Sequence, residues 1–237
     1  MSTLTNIKDC PVNFCFSKEN MQRLLEIMND HKVAKDSPLF WEHDVADKIY
    51  YIKKGKIKVT KNSNDGKMFV LYVFQEGDFV GQIEPFQDSV QQFNGIAAED
   101  SVVGVIHKSE LEMLMWQYSD LAIDFMKWMG VVQRITQTKF RDLLMYGKQG
   151  ALCSTLIRLA NTYGEQTPDG ILIKEKLTNT DLADLIGAAR ESVSRMLSAL
   201  KKEGAVDMVD GHILLKDIDY LKDICHCETC PMQICRI

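Results

Sequence analysis

The chain has 237 residues, 46% hydrophobic and 26% charged, an ordinary soluble composition long enough for about two domains. Its apolar runs are too short and interrupted for a membrane span, and the opening MSTLTNIKDC has neither a basic nor an apolar leader, so a cytoplasmic location is expected. A net charge of −5, with 10 Lys/Arg against 13 Asp/Glu even in residues 150–237, excludes a protein held on nucleic acid by bulk positive charge.

In chain order, Met21, Leu24, Leu25 and Met28 are helically spaced and predict a short helix from Glu19 to Met28. From about 32 to 108 the texture changes to short β-branched and aromatic segments. They include Lys48–Thr60, Met68–Gln75 and Val102–His107, with turn signals at Lys54-Gly55, Asp65-Gly66, Glu76-Gly77-Asp78 and Asn94-Gly95. Such spacing predicts a small antiparallel β-roll. Two helices are expected next, at about 109–117 and 120–146. In the second, Met126, Met129, Gln133, Thr136, Phe140 and Leu143 follow an a/d spacing. Such a seam either pairs two helices in a dimer or packs the helix on its own domain. Gly147-Lys148-Gln149-Gly150 breaks the helix as a hinge, a further helix covers 151–163, and Thr167-Pro168-Asp169-Gly170 turns into a strand at Ile171–Lys176.

Thr178 with Asp181 reads as an N-cap and capping box. Leu182, Leu185 and Ile186 bury that helix, and Gly187 permits a tight turn into a second helix from Ala189 to Glu203, which Gly204 stops. Val193, Met196, Leu197 and Leu200 form one apolar stripe, with Glu191, Arg195, Ser198 and Lys202 opposite and Arg190 and Ser194 on the flanks. Four basic residues against one acid between Gly187 and Lys202 make a local basic surface in an acidic domain. Arginine can fork onto guanine and glutamate can accept from cytosine, so Arg190, Glu191, Ser194, Arg195 and Lys202 are candidate DNA-contacting residues. The strands of Val206–Lys216, folded at Asp210-Gly211, would form a wing. The plainer reading is a helical hairpin with a solvated basic face.

Seven cysteines in a reducing compartment suggest metal or redox chemistry, and four lie in the last thirteen residues. Cys227 and Cys230 form a CxxC, and Cys235 follows. Such a thiolate-rich site suits zinc or an iron–sulfur cluster, which ligand type alone does not separate. Cys10, Cys15 and Cys153 read as small, partly buried hydrophobes.

The segment Gly187-Ala-Ala-Arg-Glu-Ser-Val-Ser-Arg195-Met-Leu resembles the recognition helix of the cyclic-AMP-receptor/Fnr superfamily. Tyr50-Tyr-Ile-Lys-Lys-Gly55 and Glu76-Gly-Asp-Phe-Val-Gly81 resemble its β-roll. The resemblance covers nearly the whole chain and implies a homodimer joined by the long helix on double-stranded DNA. Nucleotide-binding members carry a ribose-binding glutamate and an Arg-Ser phosphate pair. Here Gln82 and Gln92-Phe93 stand instead, so no cyclic-nucleotide site is expected.

The tail resembles that of Bacillus-type Fnr proteins, in which three C-terminal cysteines and an aspartate just after the dimer helix hold a 4Fe-4S cluster. The matching stretch Lys139-Phe-Arg-Asp142-Leu-Leu-Met-Tyr-Gly147 makes Asp142 the carried-over ligand beside Cys227, Cys230 and Cys235. A carboxylate-bound iron is the weaker corner, suited to oxygen attack. Cys225, with His226, departs from the pattern: it is an alternative fourth ligand, or the four cysteines hold zinc. Otherwise Asp142 is an exposed helix-end carboxylate paired with Arg141 or Lys148.

The expectation is therefore an α+β chain: a β-roll (1–118), a dimerisation helix and hinge (119–147), and a C-terminal winged helix-turn-helix with its cysteine tail (148–237). The resemblance implies an anaerobic regulator, mainly an activator, that senses oxygen through one 4Fe-4S cluster per subunit, binds a TGTGA-type palindrome and recruits RNA polymerase. The alternative is a winged-helix regulator with structural zinc and an unidentified small-molecule effector. An iron–sulfur enzyme lacks support, because no acid/base, nucleophile or phosphate-loop constellation accompanies the cysteines.

Overall fold

The computed structural model describes residues 12–63, 66–82 and 89–237. Cys10 and Asp65, both named above, lie outside them. A 3-10 turn at Val12–Cys15 precedes α1 (Lys18–Ile27), whose N-cap Ser17 accepts from the Asn20 N–H at 3.1 Å. Strands β1 (Asn29–Val33), β2 (Pro38–Phe40), β3 (Lys48–Lys54), β4 (Lys56–Asn62), β5 (Met68–Gln75), β6 (Phe79–Val80), β7 (Asn94–Ala97) and β8 (Ser101–His107) follow, then α2 (Lys108–Gln117). The long α3 (Ser119–Tyr163) departs from helical geometry at Gly147, where φ is 61° and ψ is −165°. After it come β9 (Gly164–Thr167), β10 (Gly170–Ile173), α4 (Asn179–Ile186), α5 (Arg190–Lys202), β11 (Val206–Val209), β12 (His212–Leu215) and α6 (Ile218–Ile224). The expected order of antiparallel β-roll, long helix and winged helix-turn-helix is the observed one.

The chain forms two compact units, one within 12–61 and 71–132, the other within 62–70 and 133–237. In the first, two four-stranded sheets run β1-β8-β3-β6 and β2-β7-β4-β5. Their alternating residues enclose Val33, Phe40, Tyr50, Ile52, Ile57, Val59, Val80 and Val103, which is why the strands read as β-branched and aromatic. The helices pack on a second cluster in which Phe16, Phe79, Phe125 and Trp128 meet with ring centroids 4.9–6.0 Å apart. Phe79 is wholly buried. Truncating such an aromatic leaves a cavity that costs about 3–5 kcal/mol. Phe79→Ala should therefore lower the unfolding free energy by that margin, seen as a lower urea midpoint with little change of slope; a loss below about 1 kcal/mol would show that the cluster repacks.

One turn signal is corrected. Asn94-Gly95 does not close a turn but starts β7, where Gly95 pairs with Val59 and Phe40. A Cβ at Gly95 would lie 2.6 Å from the Phe40 ring. This glycine marks a close approach inside a sheet.

In the second unit β11-β12-β10-β9 form one sheet. The part of α3 after Gly147 is its core element, with Leu152, Cys153, Leu156 and Leu159 at most 1% exposed. β9 was not anticipated. Nor was α6, which Asp217 caps by accepting from the Tyr220 N–H at 2.9 Å; it separates the wing from the cysteines.

Candidate nucleic-acid interface and metal centre

The helix-turn-helix is built by local chemistry. Thr178 Oγ1 accepts from the Asp181 N–H at 3.1 Å while the Asp181 carboxylate accepts from the Thr178 N–H at 2.9 Å. Gly187 then takes a left-handed conformation, φ 61° and ψ 40°, that ends α4 and reverses the chain within three residues. Val193 and Leu200 of α5 are buried, and Met196 and Leu197 are half-buried. Arg190, Glu191, Ser194, Arg195, Ser198 and Lys202 are all exposed, as the wheel predicts. No side chain caps the N-terminus of α5, so its first N–H groups are open to phosphate oxygens.

Among the described residues Arg190, Glu191, Arg195 and Lys202 make no ion pair, so their charge faces solvent. Lys201 differs: its ammonium lies 2.7 Å from Asp207 on β11, holding that carboxyl below its usual range. Part of the basic charge read from the sequence is thus spent on fixing the wing. The wing turns at Asp210 and Gly211, with φ of 50° and 80°, the paired positive values of a type I′ hairpin.

After α6 the tail folds back on α3 on both sides of Gly147. Before the break, the Tyr146 ring stacks on His226 at 4.8 Å and Arg141 pairs with Glu228. Beyond it, Arg158 Nη1 donates to the Ile234 carbonyl at 3.3 Å and Asn161 Nδ2 donates to the Cys235 carbonyl at 2.8 Å. The Ile237 N–H donates to Thr162 Oγ1 at 3.2 Å. Ile234 and Ile237 are buried.

Asp142 lies at the centre of these contacts and is 1% exposed. The reading of an exposed helix-end carboxylate is therefore corrected. Its pairing with Arg141 is present, but the second cation is Arg158 rather than Lys148. Oδ1 accepts from Arg141 Nε at 3.0 Å and Nη2 at 2.6 Å; Oδ2 accepts from Ser154 Oγ at 2.6 Å and Arg158 Nη2 at 2.8 Å.

The thiols share this neighbourhood. Burial, then the nearby Cys227, Asp142 and Cys235, push the Cys225 thiol up to about 12. Burial also raises Cys235, against the pull of Arg158, while Cys227 and Cys230 add to the rise. A place where several thiolates would crowd a carboxylate favours a cation, and soft sulfur donors suit zinc or an iron–sulfur cluster. The donor types therefore suit such a group. Basic residues surround it too: burial, then Arg158 and Arg236, pull the half-buried Lys139 ammonium down to about 7. Among the described residues no three His, Cys, Asp or Glu side chains converge closely enough to hold a metal ion as they stand. Cys15 and Cys153 are buried, more so than expected, and Cys153 lies near enough to Cys225 for that thiol's charge to add to the rise that burial gives its own.

Sequence reasoning named the thiols and, through resemblance, Asp142 as candidates, but did not name Ser154, Arg158 and Asn161. Their signal was available. Ser154 and Arg158 stand at i, i+4 in a helix otherwise lined by leucines, where a buried arginine needs an anion.

In the β-roll, Gln82 has no hydrogen-bond partner for its Oε1 among the described residues, and Gln92 Nε2 donates to the Val90 carbonyl at 3.2 Å. Neither supplies the carboxylate or guanidinium that a cyclic nucleotide would need.

A family model described as a Crp-like helix-turn-helix domain matches residues 150–224, and one described as a cyclic nucleotide-binding domain matches residues 30–118. The chain is 43% identical over 221 residues to the anaerobic regulatory protein of Bacillus subtilis strain 168, covering 92% of this chain and 93% of that one. It is 26% identical over 178 residues to the cAMP-activated global transcriptional regulator CRP of Salmonella typhimurium, covering 74% and 84%. Among solved structures, a CooA mutant from Carboxydothermus hydrogenoformans superposes with a TM-score of 0.74 at 20% identity, over 93% of this chain and 96% of that one. FixK2 from Bradyrhizobium japonicum gives 0.68 at 18%, over 84% and 97%.

Proposed function

The chain belongs to the Crp/Fnr family of transcription regulators, and from that premise we propose that it is an oxygen-responsive anaerobic regulator, mainly an activator. In this reading it works as a homodimer on a palindromic operator and recruits RNA polymerase. The carrying observation is the cysteine tail folded against Asp142 across the break at Gly147. The relative of 43% identity, named as an anaerobic regulatory protein, supports it.

Cys227, Cys230, Cys235 and Asp142 would hold a 4Fe-4S cluster, which when bound supplies an oxygen-labile iron. The chain's own residues do the rest. The tail leaves α6 at the end of the winged domain and grips α3 through Tyr146 and Arg141 before the break and Arg158 and Asn161 after it. Its conformation therefore bears on how α5 and the wing are held. No cyclic nucleotide is involved in this reading, since Gln82, Gln92 and Phe93 cannot neutralise a phosphate.

A second reading has one observation in its favour. Cys225 is 2% exposed and close enough to Cys227 and Cys235 to feel their charge, so four thiolates could hold zinc. Colour separates the two. Anaerobically purified protein should be brown and bleach in air; a colourless protein with stoichiometric zinc would overturn the cluster.

The dimer rests on α3. Ile123, Met126, Met129, Phe140 and Leu144 are 44–64% exposed on it, a row too apolar to be left to water. Leu143 of the expected seam is half-buried, Leu144 beside it is exposed, and Gln133 and Thr136 are the polar positions between. No metal ligand lies in the row, so the dimer should outlast the cluster. Light scattering of air-exposed protein should give about 54 kDa, twice the 27.0 kDa chain; a monomer there would contradict this.

A further inference from the structure

A carboxylate can accept about four hydrogen bonds, and Asp142 accepts four, two on each oxygen. No acceptor site is left for a metal ion, so at least one donor must leave first. The three donor residues are not equivalent. Arg141 is the chain neighbour of Asp142, binds Oδ1 and is partly exposed. Ser154 binds Oδ2 and has no hydrogen bond to the tail. Arg158 is 4% exposed, donates one nitrogen to Oδ2 and the other to the carbonyl of Ile234, and leaves its Nε buried without a partner among the described residues. Among the described residues it alone bridges the carboxylate and the backbone next to Cys235.

We infer that Arg158 is a latch: it occupies Asp142, clamps the tail beside Cys235, and must give up Oδ2 before a metal can take it. The clamp follows from the contacts alone; the competition rests on the reading of Asp142 as a ligand. An exchange of partners is physically reasonable here. A buried arginine stripped of its anion is costly, but sulfur ligands carrying negative charge would arrive beside it as the carboxylate turns away. Asn161 and Thr162 bond the tail without touching Asp142, so the tail can stay docked during the change.

Two variants test the halves separately. In metal-free protein, amide hydrogen exchange over 225–237 should be at least about tenfold faster in Arg158→Gln than in wild type, and unchanged in Ser154→Ala. During anaerobic reconstitution with ferrous iron and sulfide, both variants should gain visible absorption faster than wild type, because each frees an acceptor on Oδ2. Wild-type exchange in a folded Arg158→Gln protein overturns the clamp. A loosened tail with unchanged uptake in both variants overturns the competition, and then the ligand role of Asp142 has failed, not the clamp. Should Arg158→Gln not fold, Arg158→Lys keeps the cation but cannot span both acceptors, and its exchange should still rise.

Discussion

Cys230→Ala is expected to give a folded, colourless dimer whose operator affinity falls about 5–150-fold, the range of a coupling free energy of roughly 1–3 kcal/mol. The argument begins with where the thiol sits. Cys227 and Cys230 lie in a tail whose contacts reach both sides of Gly147, so losing a proposed ligand there should loosen how the winged domain is held. The residues on α5 proposed to face bases are untouched, and non-specific affinity should hardly change. Cys227→Ala and Cys235→Ala should behave alike. Asp142→Ala should lose the colour or bleach far faster, whereas Cys225→Ala should keep it; the reverse pair of results would move the fourth ligand to Cys225. Full operator affinity in a colourless Cys230→Ala protein would falsify the link between cluster and DNA.

Arg190→Ala is expected to relax the operator at a single base. Arg190, Glu191 and Arg195 are exposed at the N-terminal end of α5, the end of a recognition helix that reaches base edges. Arginine just before the glutamate matches the cyclic-AMP-receptor pattern, in which it reads the outer guanine of TGTGA. An arginine fork on guanine discriminates by about 1–3 kcal/mol, roughly ten- to a hundredfold. The variant should lose that preference and keep the inner G·C pair assigned to Glu191 and Arg195. Half-site centres should lie about 10–11 bp apart, as a two-fold dimer requires. Lys202→Ala, by contrast, should weaken binding evenly across sequences and flatten its salt dependence. A binding-site selection that returned TTGAT halves would show that Arg190 does not reach its base.

Much of the fold was legible because local chemistry governs it. Thr178 and Asp181 close a capping box that needs no distant partner, and Gly187, Gly204 and Gly211 adopt the positive φ that their positions suggested. Gly95 misled because its cause is tertiary: the Phe40 ring packs where a side chain would be. β9 and α6 are short and carry weak patterns. At the site, the cysteines announce themselves by clustering, and Asp142 entered through resemblance. Arg158 stayed hidden because its partners lie 16 and 76 residues away, and no window along the chain spans them.

The single non-helical residue at Gly147 also determines what kind of machine part α3 can be. An unbroken helix acts as a drive shaft, in which its ladder of backbone hydrogen bonds passes a twist from one end to the other. At φ 61° and ψ −165° that ladder is interrupted, and torque applied on one side is not delivered through the main chain to the other. It must travel through whatever spans the gap from outside: the salt bridges, the stacked ring of His226 and the carbonyls of the tail. In the proposed reading the C-terminal thirteen residues would be the coupling collar of the shaft, and a change in their conformation would engage or disengage the two halves.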